Sequence, residues 1–314
     1  MSETIKPDIS DIQAFIHSVT ADIPKDAGER LKVERQELFA DIDRITAELK
    51  SSPDLLKTVL QKSAAFPERS IGNVLLIGKY KPEATLLRTF QEWKAEGAWI
   101  NAENPVRLMA KGKSYVDGNN QVRQSYNVRK YYDVADTGIK RQPALPKRKA
   151  AEYFQALGAN PPCKFQFHDD MPLNTLYVPE NDTVYVKSQM KKQPEQCFIE
   201  SVGELSHRSQ YMQDRQGYNR ENADTVFKAQ CTKFIIAARC GMDTDTIDLP
   251  KELIPDADPK ALKGMLGDVH KEAAALCTRI EKQLPEIQRI QEPEKKAAVK
   301  PPAKKLAKQD APSL

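Results

Sequence analysis

The stretch from Phe198 to Asp245 constrains the fold of this chain more than any other part of the sequence. It predicts two helices joined by a polar loop, and the second helix is expected over Thr225 to Cys240. Glu204 and His207 lie three residues apart on the first helix, so they share one face. The fold of this region must therefore place an acid and an imidazole side by side.

The spacing in the first helix is that of a zinc peptidase helix with its ligands changed. Such a helix carries two His four residues apart, a Glu beside the first His, and a third ligand from a later helix. Here Gly203 stands at the first His position, His207 at the second, and the inward candidate on the later helix is Gln230. One good ligand does not hold a catalytic zinc, so the sequence predicts no metal and no other cofactor at this place.

Two interpretations of Glu204 and His207 remain open from the residues alone. They form either an ordinary helix-surface or core-edge pair, or part of a metal site that is completed by more distant residues. Candidates for that completion are His168, Asp169, Asp170 and Cys231.

Charge is distributed unevenly along the chain. The 314 residues carry a formal net charge of +4, but residues 106–150 hold eleven Lys or Arg against three Asp, a net charge of +8. The rest of the chain therefore sums to −4. A basic patch confined to one segment favours a polyanionic partner.

The termini and the cysteines narrow the protein class. The N-terminal residues lack a basic segment followed by an apolar run, and no stretch approaches the roughly 18 apolar residues that span a bilayer. We therefore expect a cytoplasmic protein with no membrane contact. The five cysteines are odd in number and widely spaced, which predicts reduced and mostly buried thiols.

The predicted fold class is α+β, with helices first and two mixed regions after them. A helix is expected to begin at Pro82–Thr85 and to continue through Leu86–Lys94, and strands are expected near residues 106–110, 113–116 and 121–134, with a turn at Asp117–Asn120. The predicted organisation is an N-terminal helical region (1–65), a small α+β domain (66–137), a basic linker (138–149), a second α+β domain (150–290) and a disordered tail rich in Lys, Ala and Pro (291–314).

A long helix is predicted over Pro259 to Gln291, packed across the second domain. Its apolar residues recur near helical spacing. Pro285 is expected to kink or end this helix, because proline lacks an N–H and crowds the preceding turn.

The predicted hairpin interleaves aromatic and cationic side chains. Unpaired bases offer flat faces to aromatic rings, while Lys and Arg follow the phosphates, so this pattern is typical of a surface that binds single-stranded DNA. The alternative is that the alternate tyrosines face a core and the cations only solvate the outer face. The candidate nucleic-acid-binding residues are Arg107, Lys111, Lys113, Tyr115, Arg123, Tyr126, Arg129, Lys130 and Tyr131.

Four segments in this region carry a family resemblance through their order and spacing. They are Ser70–Ile77, Lys81–Thr85, Phe90–Lys94 and Tyr126–Thr137. With them, residues 68–138 resemble the N-terminal single-stranded-DNA-binding domain of the ArdC-like antirestriction proteins, which occur on mobile elements and phages.

The resemblance extends into the second half of the chain. Leu176–Val186 matches the β-hairpin before the active helix, and residues 148–290 resemble the zincin-like metallopeptidase domain of the same family. In that alignment Gly203 replaces the first zinc His and Gln230 replaces the Glu ligand. The resemblance thus implies a peptidase scaffold without its catalytic metal, in which Glu204 and His207 are remnants.

Three functions follow from these observations. The first is a non-catalytic single-stranded-DNA-binding protein of a mobile element or phage, with a pseudopeptidase domain. The second is an enzyme, a metallopeptidase with atypical ligands around Glu204 and His207. The third is a pseudopeptidase that binds a protein partner at its degenerate cleft and does not bind DNA.

Overall fold

The computed structural model describes residues 27–139 and 148–298, with side chains described as far as residue 285. The chain divides into two compact units. The first unit is Met1–Ala144 with Leu249–His270, and the second is Leu145–Asp248 with Lys271–Leu314. Both units combine helices with a small sheet, which confirms the predicted α+β class.

The first unit begins with helices α1 (Ala27–Leu49), α2 (Pro53–Ala65) and α3 (Ile71–Tyr80). A serine hydroxyl accepts a first-turn backbone N–H at the start of both α2 and α3. Helix α3 is buried along its central residues, which explains why its apolar run shows no helical period. Gly78 lies so close to α2 that a Cβ there would stand 2.9 Å from Val59 Cγ2. The core positions of α1 are Leu38, Ile42, Ile45 and Leu49.

The first unit continues with a three-stranded antiparallel sheet and one short helix. These elements are β1 (Leu87–Thr89), α4 (Phe90–Ala95), β2 (Val106–Val116) and β3 (Val122–Asp133). The strand order is β1-β3-β2, so β3 is central. The β2–β3 pair is the hairpin expected from the sequence.

The predicted helix over residues 86–94 was wrong in its first half. Residues 87–89 form strand β1, which pairs with the end of β3. The helix begins only at Phe90, because Thr89 and Glu92 form a capping box in which each side chain accepts the backbone N–H of the other residue. The helix therefore starts after the N-cap residue Thr89 and not at Pro82, where the sequence suggested a helix start.

The side chain of Asn73 joins α3 to the outer edge of β2. Its Nδ2 donates to Met109 O at 2.9 Å, and its Oδ1 accepts from Met109 N at 2.8 Å. Asn73 is buried, so both backbone groups of Met109 are satisfied away from solvent.

The second unit contains α5 (Ala150–Ala159), β4 (Lys164–His168), β5 (Thr175–Val178), β6 (Thr183–Lys187), α6 (Pro194–Gln213) and α7 (Ala223–Arg239). Its strand order is β4-β6-β5, with β4 parallel and β5 antiparallel to β6. The expected hairpin turn is present: a short 3-10 helix precedes Asp182, which has a φ of 49°. Strand β5 lies at the edge of the sheet and alongside α6.

Helix α8 (Pro259–Ala298) departs from the prediction in three ways. It does not end at Pro285 but runs on to Ala298, so the first residues of the expected disordered tail are helical. The rest of that tail lies outside the described residues, as do residues 1–26 and most of the basic linker. The third difference is that residues 249–270 pack with the first unit and not within the second domain.

Three polar contacts explain this assignment of residues 249–270. Asp256 pairs with Lys50 at 2.9 Å, and Lys263 pairs with Asp43 at 2.6 Å. His270 Nε2 lies 2.8 Å from the backbone oxygen of Arg69. Each contact joins this segment to a helix or loop of the first unit.

Two further expectations concerned the state of the cysteines and the presence of a membrane-spanning helix. All five cysteines are free and buried, as predicted. Within the described parts of the chain, no helix combines the length and the apolar character that a membrane span requires.

We predict that Asn73→Ala lowers the free energy of unfolding by about 2–4 kcal/mol, because it leaves the buried N–H and C=O of Met109 without partners. Chemical denaturation of the purified protein measures the change. The matched control is Asn119→Ala in the exposed hairpin turn, which should change stability by less than about 0.5 kcal/mol. Equal effects of the two substitutions would contradict the role of Asn73.

Candidate functional site

Glu204 lies at the centre of the candidate site on α6. Its carboxylate accepts a hydrogen bond from Tyr177 N at 2.6 Å and one from Thr175 Oγ1 at 3.3 Å, so it joins α6 to β5. Only 4% of the residue is exposed. Both donors come from the edge strand because β5 runs beside the buried face of α6.

Arg220 holds the same carboxylate from the other side. It lies in the loop between α6 and α7, and its guanidinium donates to the two oxygens of Glu204 at 2.7 and 2.6 Å. Burial alone would raise the pKa of the Glu204 carboxyl, but the hydrogen bonds and the charge of Arg220 outweigh burial and lower it. Glu204 is therefore ionised, and its two oxygens together accept four hydrogen bonds.

Lys233 fills the space beside Gly203. A Cβ at Gly203 would overlap Cε of Lys233, and the lysine Cγ and Cδ would lie 3.3 Å from it. The ammonium group of Lys233 pairs with Glu200 on α6 at 2.6 Å. The place where a zinc peptidase helix carries its first His is thus taken by the stem of a lysine from α7.

His207 is buried beside these ion pairs. Burial, and then the positive charge of Arg220, lower its pKa to about 4, so the imidazole is neutral at neutral pH. Its Nδ1 is buried and has no hydrogen-bond partner among the described residues. A zinc-ligating His normally donates this second ring nitrogen to a carboxylate, a carbonyl or water, which fixes the ring.

The residues of this site surround a cavity of about 550 Å³ between β5, α6 and α7. Gln230 is among the residues that line it. The lining also includes Gly203, Glu204, His207, Arg220 and Lys233.

This set of residues does not fit a zinc ion. Gly203 offers no ligand and Gln230 offers a neutral amide, while Arg220 and Lys233 add two positive charges to the lining of the same cavity. The structure also keeps the alternative ligands apart: His168 is exposed on β4, and Cys231 is fully buried in α7. Among the described residues, no group of three His, Cys, Asp or Glu is placed to hold a metal.

Three residues of this site were not predicted from the sequence: Glu200, Arg220 and Lys233. Helical spacing contained a signal for two of them. Glu200 lies three residues before Gly203, and Lys233 lies three residues after Gln230, so each shares a helix face with a residue already singled out. Arg220 lies in a loop, where no periodicity exists.

The candidate nucleic-acid-binding residues lie on the β2–β3 hairpin of the first unit. Arg107 is opposite Lys130, and Lys111 is opposite Tyr126. Directly opposite residues of an antiparallel pair project from the same face, so these four form one row, which we call the hairpin stripe. Arg107 has a Glu37 carboxylate oxygen at 3.7 Å. Lys111 and Lys130 are exposed and have no carboxylate oxygen within 4 Å in the described part of the chain.

The remaining candidates divide into exposed and buried residues. Lys113, Tyr115, Arg123 and Arg129 are exposed, and Arg123 also pairs with Asp117 at 2.7 Å in the hairpin turn. Tyr131 was expected on the binding surface, but only 8% of it is exposed. It points to the buried face of the sheet, with the guanidinium carbon of Arg69 4.7 Å from its ring centre. Its ring is therefore closed to a base.

We predict that Arg220→Leu lowers the free energy of unfolding by about 3–5 kcal/mol at pH 7, because it strands a buried carboxylate. In the native protein the lowered pKa of Glu204 stabilises the fold above the unfolded-state pKa of about 4.3, and this contribution is lost as the pH falls through the folded-state value. Without Arg220, burial should raise that pKa, so the destabilisation should shrink as the pH is lowered towards 4.

Urea denaturation between pH 4 and pH 7 tests this prediction. Arg215→Leu, in the same loop and exposed, is the matched control and should change stability by less than about 1 kcal/mol at every pH. A loss in Arg220→Leu that does not depend on pH would show that Arg220 acts through packing and not through Glu204.

The fold of this chain is similar to that of solved protein structures. No model of a known protein family matches the sequence, and no curated protein matches it. Among solved structures, the Mn(II)-bound structure of the antirestriction ArdC protein from plasmid R388 is similar, with a TM-score of 0.51, 12% identity, and coverage of 79% of this chain and 97% of that one. The metal-free structure of the same protein has a TM-score of 0.47 and 14% identity, covering 74% of this chain and 98% of that one. The resemblance found in the sequence is thus confirmed at the level of the fold: this chain is ArdC-like in its architecture.

Proposed function

We propose that this protein binds single-stranded DNA without catalysing a reaction on it, as part of a mobile element or phage, and that its second unit is a pseudopeptidase. The hairpin stripe is the observation that carries the proposal. It places three cations and the half-exposed ring of Tyr126 on one face of a two-stranded ribbon.

The chemistry of the stripe suits a single strand. Cations along the ribbon would follow successive phosphates, and an exposed ring offers a stacking surface to any unpaired base. A duplex hides its base faces, so the ring would add nothing to duplex binding. The exposed cations Lys113 and Arg129 extend the positive surface of the same hairpin.

The pseudopeptidase part of the proposal is supported by the two ion pairs at the cavity. A Glu acts as general base in a zinc peptidase only when a metal lowers the pKa of the attacking water. Here Glu204 is held by Arg220, and Lys233 fills the space beside Gly203. The metallopeptidase alternative would require all of these contacts to be broken before a metal could enter.

The mobile-element origin is supported by the fold alone. The solved protein of similar architecture is described as an antirestriction protein from a plasmid. A DNA-binding protein of such an element would work in the cytoplasm of its host.

A second candidate function is the binding of a protein partner by the second unit. The observation in its favour is the cavity of about 550 Å³, which is bordered by residues 173–176 at and just before the edge strand β5. An edge strand beside a groove is a surface on which an extended peptide can bind. This candidate is the one to adopt if DNA binding is absent.

We predict salt-dependent binding of a labelled single-stranded oligonucleotide, measured by fluorescence anisotropy, with weaker binding of the matching duplex. Lys111→Ala and Lys130→Ala should each reduce the slope of log K against log salt by about 0.7, because each removes one phosphate contact. Lys192→Ala, an exposed lysine of the second unit, is the control and should leave the slope unchanged.

Two results would contradict this prediction. If Lys130→Ala and Lys192→Ala reduced the slope of log K against log salt equally, the hairpin stripe would not be the DNA interface. An absence of single-strand binding at low salt would reject the DNA-binding function and favour the protein-binding alternative.

We also predict that zinc binding returns only when the space beside Gly203 is vacated. Gly203→His with Gln230→Glu should restore two ligands, but the new His would overlap Lys233. The triple variant that adds Lys233→Ala should therefore retain more zinc after dialysis than the double variant, as measured by inductively coupled plasma mass spectrometry.

The control is the triple variant with His207→Ala, which should lose the gained zinc. If the double and triple variants both remain free of zinc, the equivalence of Gly203 and Gln230 to the two ligand positions is wrong. Zinc bound stoichiometrically by the natural sequence would reject the pseudopeptidase assignment.

A further inference from the structure

A second cavity lies in the first unit, beside the end of strand β1. Its volume is about 690 Å³, which is within the usual range for a small-molecule site. Of its lining residues, only Arg129 and Lys130 are among the candidate nucleic-acid-binding residues of the sequence. The lining consists of Thr89, Phe90, Gln91, Glu92, Arg129, Lys130 and Tyr132.

The cavity exists because β1 is much shorter than β3. The pairing of the two strands ends at Thr89 opposite Tyr131, and the chain then turns into α4. Strand β3 continues beyond this point without β1 beside it. Arg129 and Lys130 project from opposite faces of β3, and both reach the cavity because the edge of the sheet is open here.

Phe90 provides an aromatic surface at this opening. It is 41% exposed, and its ring packs edge-on against the buried Tyr132, with ring centres 6.3 Å apart and an interplanar angle of 70°. An edge contact supports the ring while leaving its exposed side for a ligand. Tyr131, the aromatic residue expected to stack, is buried on the other face.

The charges around Phe90 favour an anionic ligand. Arg129 and Lys130 are exposed and have no carboxylate oxygen within 4 Å among the residues that the structure describes. The one carboxylate of the lining, Glu92, accepts hydrogen bonds from Thr89 N at 2.7 Å and Thr89 Oγ1 at 2.8 Å. One of its oxygens is therefore engaged in the helix cap, and Arg129 and Lys130 together outweigh its single negative charge in the lining.

We propose that this cavity holds one nucleotide of a single DNA strand, with its base stacked on Phe90 and its phosphates at Arg129 and Lys130. The exposed amide of Gln91 carries both a donor and an acceptor, so it can pair with the edge of any base. A base enters such a cavity only when it is unpaired and unstacked, which gives the protein its preference for single strands. This proposal rests on the DNA-binding function proposed above and names the site that discriminates single strands from duplex.

The test compares Phe90→Ala, Phe90→Leu and Phe90→Trp by fluorescence anisotropy with a single-stranded oligonucleotide. Loss of the ring should weaken binding about tenfold in the Ala and Leu variants, whereas the Trp variant should bind about as tightly as the natural protein. Phe39→Ala is the matched control, because Phe39 is an exposed phenylalanine of the same unit. It should leave the affinity unchanged.

The Leu variant keeps an apolar side chain against Tyr132, and circular dichroism checks the fold of each variant. Ultraviolet crosslinking of an oligonucleotide that contains 5-iododeoxyuridine gives an independent readout, with the crosslink expected on the peptide that contains Phe90. A folded Leu variant with unchanged affinity, or a Trp variant as weak as the Ala variant, would overturn the stacking role of Phe90 and leave the DNA-binding function standing. A natural protein that fails to bind single strands would overturn both.

Discussion

The buried ion pair between Glu204 and Arg220 is the contact on which the second unit depends. It joins α6, the edge strand β5 and the loop before α7 at one carboxylate, which accepts four hydrogen bonds. A buried carboxylate with that many donors is stable only while each donor stays in place, since the loss of one leaves part of the charge unsatisfied. The pair therefore anchors the α6–α7 loop to α6, in addition to the loop's own hydrogen bonds from Gly217 N to Asp214 and from Glu221 N to Asn219.

The same contact, together with the Lys233 pair, balances the acidic groups that line the cavity. In a zinc site the metal supplies positive charge that holds acidic and imidazole groups together. Here a guanidinium and an ammonium, from Arg220 and Lys233, supply that charge from within the chain. The acidic groups on α6 are thus paired with cations of the chain itself, and the neutral His207 adds no charge of its own.

The sequence predicted the elements whose signals are local. The β2–β3 hairpin and the helix pair follow from alternation, turn residues and helical spacing, whereas the β5–β6 hairpin was expected only from the family resemblance. Long-range partners were not predictable in this way. Arg220 meets Glu204 only because a loop folds back, and Tyr131 is buried on a face of the sheet where Arg69, just before α3, lies over its ring. A pattern of neighbouring residues encodes neither contact. The helix start at Phe90 was a missed local signal, since Thr89 and Glu92 have the spacing of a capping box.

The amide of Asn73 has a consequence for the assembly of the sheet. Strand β2 is an edge strand, and an exposed edge invites pairing with a strand from another molecule. At Met109 both backbone groups are already bonded to Asn73, so a foreign strand would find no donor or acceptor there. One side chain from a helix thus closes the middle of the edge against intermolecular β-pairing, as a neighbouring strand would.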